Sequence, residues 1–323
     1  MKTLFKSGLI LIICLLPFML QSQTTVNIDQ RTSHHYASFF DGSGYFDQGA
    51  DEVGMWANMN STSKRAVLWR KLKISGNNTG SDRSMQIGDK FTITVSAKRA
   101  YGRIGCALLA SPSVGGSWDN RESNYAISVN LDGPAYTGGG YGLWYIKYKD
   151  ESTSAANFGG NENTYYNYKF EFTLTASDRM NVTISDNNGN SSSFFDVFLN
   201  NSNPITDYSV YLQDDWTGNA NANIYWKPVT SMQNTGSVTL GSSNATFSVT
   251  SAIADGLAAN STTVVSSNAL TKSGSGTVTL EGTNTYTGTT TLSNGTLRLT
   301  GGIASSSVTI NNGAILKSDG NNS

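Results

Sequence analysis

From Gly276 onward the chain repeats itself. Gly276-Thr277-Val278-Thr279-Leu280 returns 19 positions later as Gly295-Thr296-Leu297-Arg298-Leu299, and 18 positions further as Gly313-Ala314-Ile315-Leu316. Thr290-Thr291-Leu292 returns as Val308-Thr309-Ile310, and the turn pairs Asn294-Gly295 and Asn312-Gly313 keep the same phase. Two short strands per period, at a period this short, mark a solenoid: each rung stacks on the next and buries a narrow aliphatic column. Between Ser231 and Ser323 the only aromatic residues are Phe247 and Tyr286, and the only charges are Asp255, Lys272, Glu281, Arg298, Lys317 and Asp319. A thin column has room for Val, Leu and Ile, while Thr, Ser and Asn face water at little cost.

Before Pro228–Thr230 the chemistry is different. All six Trp fall there, and apolar residues alternate with polar ones. Phe91, Ile93 and Val95 alternate with Thr92, Thr94 and Ser96. Ile127, Val129 and Leu131 alternate with Ser128 and Asn130. Tyr168, Phe170, Phe172 and Leu174 form a third run, Met180, Val182 and Ile184 a fourth. A period of two means strands with one buried face. Asp186-Asn187-Asn188-Gly189 and Gly115-Gly116 supply turns between them. No segment sustains a helical period. The expected fold is all-β: a two-sheet sandwich over 24–230, then a parallel solenoid over 231–323.

Two resemblances sharpen this. Leu270-Thr271-Lys272-Ser273-Gly274-Ser275-Gly276-Thr277-Val278-Thr279-Leu280, followed by Asn284-Thr285-Tyr286-Thr287-Gly288 and Gly295-Thr296-Leu297, resembles the autotransporter-associated β-strand repeat. Val278 stands where that family has Leu. The resemblance implies an exported bacterial protein with a parallel β-helix. The family's translocator barrel is absent here, and the chain stops at Asn321-Asn322-Ser323 in mid-repeat, so a truncated product is expected. The order of pieces over 24–230 resembles concanavalin A-like lectin/glucanase jelly rolls. Ile205 to Trp216, followed by Asn223 to Lys227, looks like a closing strand pair of such a domain.

Met1 to Gln23 reads as a secretory signal: Lys2 and Lys6 precede an apolar run from Gly8 to Leu20. That run is too short to span a bilayer, so no transmembrane segment is expected in the mature chain. The expected location is secreted or at the outer cell surface. Only Cys106 remains once that segment is removed, so no internal disulfide is possible. It lies in the apolar run Ile104 to Leu109 and is expected to be a small buried hydrophobe. The two His are adjacent, His34 and His35, and on a strand would point apart. With 22 basic against 23 acidic residues there is no surplus to neutralise phosphates, so nucleic acid is not an expected partner.

Glycoside hydrolysis needs two carboxylates flanking the scissile bond. In the glucanase branch these sit on one strand as Glu-x-Asp-x-x-Glu, a motif this chain lacks. Asp51-Glu52, Asp150-Glu151 and Asp214-Asp215 are adjacent pairs that diverge on a strand, and Asp119 and Glu122 are expected in a loop. No catalytic residue is therefore expected. Carbohydrate binding needs aromatic rings for the apolar faces of sugars and amides or carboxylates for the hydroxyls. A Gly-rich loop running into an aromatic strand brings Tyr136, Tyr141, Trp144 and Tyr148, with Trp144 and Tyr148 sharing a face with Ile146 that a core would equally bury. Asp214, Asp215, Trp216 and Asn219 form a second polar-aromatic group. No metal ligand is expected, with one qualification: Asp41 to Asp47 and Asp51 offer hard oxygens to a structural calcium ion. The EF-hand spacing is not met, and solvated turn residues are the better reading. Otherwise no cofactor is implied.

The function these features point to is an adhesin-like protein. Its first domain binds a glycan or cell-surface polysaccharide without covalent chemistry, and its β-helix serves as a stalk. A glucanase-type hydrolase and a purely structural surface protein are the alternatives.

Overall fold

The computed structural model describes residues 25–26, 35–39, 43–47, 52–57, 64–72, 84–98, 102–110, 118–133, 142–149, 151–154, 164–213, 224–227, 229–257, 264–305 and 307–319. Residues 1–23, read above as a signal segment, lie outside these.

Two antiparallel sheets make up the first part. One has nine strands. Its central path runs Ser191–Phe198, Arg179–Asp186, Tyr166–Ala176, Asp89–Ala97, Ile224–Trp226, Val53–Ala57 and Ser43–Asp47; Val229–Asn234 also pairs with Asp89–Ala97, and Thr25–Val26 with Val229–Asn234. The other has seven, in the order Glu151–Ser154, Trp144–Tyr148, Tyr125–Asp132, Arg103–Ala110, Ile205–Gln213, Arg65–Lys71 and His35–Phe39. The alternation in the sequence becomes register here. Phe91 lies opposite Phe172, Ile93 opposite Phe170 and Val95 opposite Tyr168; Phe170 in turn faces Ile184, and Phe172 faces Val182. All are buried in one cluster shared with Ile104, Cys106, Leu108, Val210 and Leu212 of the seven-stranded sheet. Each such aromatic contributes about 1.5–3 kcal/mol by leaving water. Asp186 closes the hairpin expected there: its Oδ1 accepts from the amides of Asn188 and Asn190, and Gly189 takes φ +89°.

The second part is built of parallel pairs. Ser237–Leu240, Ala269–Lys272, Thr290–Leu292 and Val308–Ile310 form one four-stranded parallel sheet; Phe247–Val249, Thr277–Leu280, Thr296–Leu299 and Ile315–Ser318 form another. Their facing residues Val238, Leu240, Leu270, Val278, Leu280, Leu292, Leu297 and Leu299 make a second core. The register corrects one alignment. Leu297 pairs with Leu316, not with Ile315, so this step is 19 residues. The turn closed by the Ala314 amide on the Asn311 carbonyl carries one residue more than its predecessor at Asn294-Gly295. The first stacking step is longer still, Val238 to Leu270, because the antiparallel pair Gly256–Leu257 and Val264–Ser266 is inserted within it.

The change from antiparallel to parallel pairing falls at Thr235–Gly236, since Val229–Asn234 still pairs with Asp89–Ala97. Two further expectations need correction. Trp118–Asn124 is a short α-helix and not a loop. Its seven residues are too few for a helical period to register, yet Arg121 in the last turn suits the helix dipole. Ser43–Asp47 is a strand paired with Val53–Ala57, so the calcium reading loses its loop, while Asp41 and Asp51 lie outside the described residues.

Candidate functional site

The seven-stranded sheet turns one face to the core and the other away from it. Register sorts the outward residues into cross-strand rows. One runs Trp69, Ser209, Ala107, Ser128, Lys147; the next Val67, Tyr211, Gly105, Asn130, Tyr145; the last Arg65, Gln213, Arg103, Asp132. This face is amphipathic across its width. Val67, Trp69, Ala107, Leu109, Tyr125 and Tyr211 form a small apolar cluster of their own, and the last row is polar throughout.

Tyr211 anchors the middle row. Its hydroxyl donates to Asn130 Oδ1, and Asn130 Nδ2 donates to Ser128 Oγ. The guanidinium of Arg121, on the helix, sits 3.9 Å from the centroid of the Tyr211 ring and pairs with Glu122. Burial pushes the Tyr211 hydroxyl up to about 12, against the opposing pull of Arg121 and Arg103. The helix thus closes over the centre of the face. In the row nearest the sheet's end, Arg65, Arg103 and Asp132 stay half-buried.

There Arg103 grips Asp132 with two bonds, Nε to Oδ1 at 2.6 Å and Nη2 to Oδ2 at 3.1 Å. Tyr145 donates its hydroxyl to the same Oδ2 at 3.0 Å. Burial raises the Tyr145 hydroxyl above its ordinary range, with Arg103 opposing, so it acts as a donor at neutral pH. For Arg103, burial works against the charge, yet the bond to Asp132 and the neighbouring charges hold its pKa above the ordinary value. A fixed carboxylate, a bidentate guanidinium and a half-buried phenol side by side can bind polyhydroxylated molecules: they offer donors, acceptors and a ring in one frame.

Of the sequence-derived candidates, Trp144 and Tyr148 are among the described residues. The amide of Gly142 donates to the carbonyl of Asp132 at 2.9 Å, closing the base of the segment that carries Tyr136 and Tyr141. Gln213, opposite Arg103, is followed directly in the chain by Asp214, Asp215, Trp216 and Asn219. Tyr136, Tyr141 and these four residues lie outside the described residues themselves. Trp144 is a correction. Its ring has no exposure and packs 5.0 Å from Tyr168 and 4.9 Å from Phe170, in the core between the sheets. No ligand can stack on it. Tyr148 leans partly on the same core and bonds Thr153 through its hydroxyl. Arg103, Asp132 and Tyr145 were missed by sequence reasoning. For Asp132 and Tyr145 a signal was available: in an alternating strand whose apolar members face the core, the polar members define the other face.

Elsewhere, a cleft of about 350 Å³ lies where the two parts of the chain meet, between Met85, Leu174 and Ile205 on one side and Ala252 and Asp255 on the other. The Asp255 carboxylate there is already engaged by the Thr287 side chain and by the amides of Thr287 and Asn268. Although burial opposes this, those bonds hold it below the usual carboxylate range. Cys106 is a buried free thiol raised by burial. Among the described residues no group of three His, Cys, Asp or Glu is placed to hold a metal ion, and no helix is long and apolar enough to cross a membrane.

Residues 270–299 match the passenger-associated-transport-repeat family. The stretch from Leu270 to Leu297 that suggested an autotransporter-associated repeat lies inside that match. No curated protein matches the chain. Among solved structures, it is similar to a sialidase at 10% identity, over 65% of this chain and 18% of the other, with a TM-score of 0.38. It is similar to lectin II from Ulex europaeus at 11% identity, over 64% and 96%, with a TM-score of 0.38. It is also similar to the alginate lyase Aly36B at 13% identity, over 64% and 94%, with a TM-score of 0.32.

Proposed function

We propose that this is an exported surface protein that binds carbohydrate non-covalently on the outer face of its seven-stranded sheet. In this reading residues 1–23 are a signal peptide. The two antiparallel sheets form a jelly-roll sandwich that carries the binding face, and the parallel rungs form a β-helix stalk that projects it.

One observation carries the reading. Arg103, Asp132 and Tyr145 are locked together at the very end of the sheet from which both sequence-identified aromatic segments depart. Tyr145 supplies a ring for the apolar face of a sugar. Asp132 and Arg103 supply an acceptor and donors held in place before a ligand arrives, which lowers the ordering cost of binding. The repeat match at 270–299 supports an extracellular stalk.

A glycan array probed with the full chain tests this, repeated with Tyr145→Ala, Tyr141→Ala and Trp216→Ala. Binding that Tyr145→Ala abolishes, and that Tyr141→Ala or Trp216→Ala weakens, is expected. Binding unchanged in all three places the site elsewhere. The absence of binding to any glycan leaves the structural-protein alternative standing.

A further inference from the structure

We infer that Asn294 is a self-modifying site: the Gly295 amide nitrogen closes on the Asn294 side chain and expels ammonia, and the buried ammonium of Lys272 assists the step.

Lys272 is fully buried among the rungs. Its ammonium donates to the carbonyls of Ser273, Gly274 and Asn294, at 2.5, 2.9 and 3.2 Å. Three donated bonds require three N–H groups, so this is the charged form. Two of the bonds hold the turn that follows Lys272 itself. The third reaches the next rung, onto the carbonyl of the peptide unit that joins Asn294 to Gly295.

That peptide unit carries the nucleophile. The Gly295 amide donates to Asn294 Oδ1 at 2.7 Å, so the side-chain carbon Cγ lies one bond beyond this contact. The last torsion of an Asn side chain is soft, and a turn about it presents Cγ to the nitrogen. Gly295 has no Cβ to obstruct the approach, and Asn294 is exposed, so water is at hand. When the Gly295 N–H gives its proton to solvent, the negative charge is shared between the nitrogen and the Asn294 carbonyl oxygen. The Lys272 ammonium sits on that oxygen from the dry side, where such a contact is strongest. The nitrogen then bonds to Cγ, the Cγ–Nδ2 bond breaks, and the leaving nitrogen takes a proton from solvent and departs as ammonia. Water opens the cyclic imide at either carbonyl, giving an aspartyl or an isoaspartyl residue at position 294.

The chain has two other Asn-Gly pairs, at Asn188 and Asn312, and they are built differently. One rung on, Leu292 takes the place of Lys272 beneath the turn that holds Asn312. At Asn188 the neighbour is an anion: Asp186 Oδ1 accepts from the amides of Asn188 and Asn190, which opposes further negative charge there. An isoaspartyl linkage at 294 adds a backbone carbon to a crowded turn. A methyl group on Gly295 would already collide with the carbonyl oxygens of Gly274 and Gly276.

The test ages the full chain at neutral pH and maps its peptides by mass and by isoaspartyl methyltransferase labelling, in the wild type and in Lys272→Met. The variant is expected to slow conversion at Asn294 about tenfold and to leave Asn312 unchanged. The direction separates this role from a structural one, because a turn merely loosened by the loss of three bonds would convert faster. Conversion at Asn294 that is absent in the wild type, or unchanged or faster in Lys272→Met, overturns the proposal. Should Lys272→Met fail to fold, the wild type decides: relative to their rates in urea, folding should slow Asn294 less than Asn188. Equal or greater slowing at Asn294 overturns the proposal as well.

Discussion

The ring of Tyr211 lies across Gly105 on the neighbouring strand. A methyl group at Gly105 would collide with Cε2, Cζ and Oη of that ring. Passing over the bare glycine, the hydroxyl reaches Asn130 one strand further on, and Arg121 covers the other side of the ring.

Gly105→Ala should therefore act through Tyr211. The ring must leave its place, forfeiting the bond to Asn130 and the contact with Arg121, and the expected loss is about 2–4 kcal/mol. Tyr211→Phe removes only the bond and should cost about 1–2 kcal/mol. Urea unfolding of the two variants checks the order. A Gly105→Ala protein as stable as the Phe variant would mean that the ring has room to move.

Tyr208 and Tyr211 point to opposite faces of one strand, and burial pushes both up to about 12. In the unfolded chain they ionise near 10. Their folded values lie above the unfolded ones, so their contribution to stability is complete below about pH 10. It is lost as pH rises through about 12. Of the 15 tyrosines, these two should be among the last to give the phenolate absorbance band, and the urea midpoint should fall across that window. A Tyr208→Phe, Tyr211→Phe double variant should show a shallower fall. An equally steep fall would assign the alkaline transition to other groups.

Cys106 is fully buried in the sandwich, and burial raises its thiol. A thiol-specific reagent at pH 8 should leave it unmodified in the native protein and label it fully in urea. Carrying this out in a Cys14→Ser background removes the chain's other cysteine from the count. Rapid native labelling would show that the core opens locally around residue 106.

What the sequence made legible follows from how directly each pattern maps to burial. The runs at Phe91–Val95, Tyr168–Leu174 and Met180–Ile184 each have one apolar face, and their pairing in the core follows from it. The Gly-Thr-Val-Thr-Leu repeat was equally direct, because parallel stacking puts like residues on like. Trp144 was ambiguous for a physical reason: alternation says which residues share a face, not which face meets the other sheet. Arg103–Ala110 is buried along nearly its whole length, so its apolar run hides that one side belongs to the candidate site. Arg103, Asp132 and Tyr145 come together only through pairing across three strands, which no local pattern encodes.

The meeting of the two parts was not legible at all, and it hangs on Asp196. This residue takes φ +54° at a bulge in Ser191–Phe198. Its carboxylate accepts from the Gly241 amide at 3.1 Å, the Ser243 amide at 3.0 Å and the Ser243 hydroxyl at 2.8 Å, all at the first parallel rung. Its carbonyl accepts from Arg179, whose guanidinium lies 3.7 Å from the centroid of the Phe198 ring and 3.8 Å from that of Phe247. One of the two aromatics beyond the compositional break is thus spent on the junction. Asp196→Ala removes three accepted bonds and places a residue with a Cβ and no local hydrogen-bonding group in the left-handed region. The expected cost is about 3–5 kcal/mol, falling on the coupling and not on either core. Calorimetry should show one transition splitting into two, with the rungs melting first. Asp196→Asn tolerates the same φ and keeps one acceptor, so it should fall between. A single unshifted transition in Asp196→Ala would mean that apolar packing of Ile87 and Ala176 against the rungs joins the halves without it.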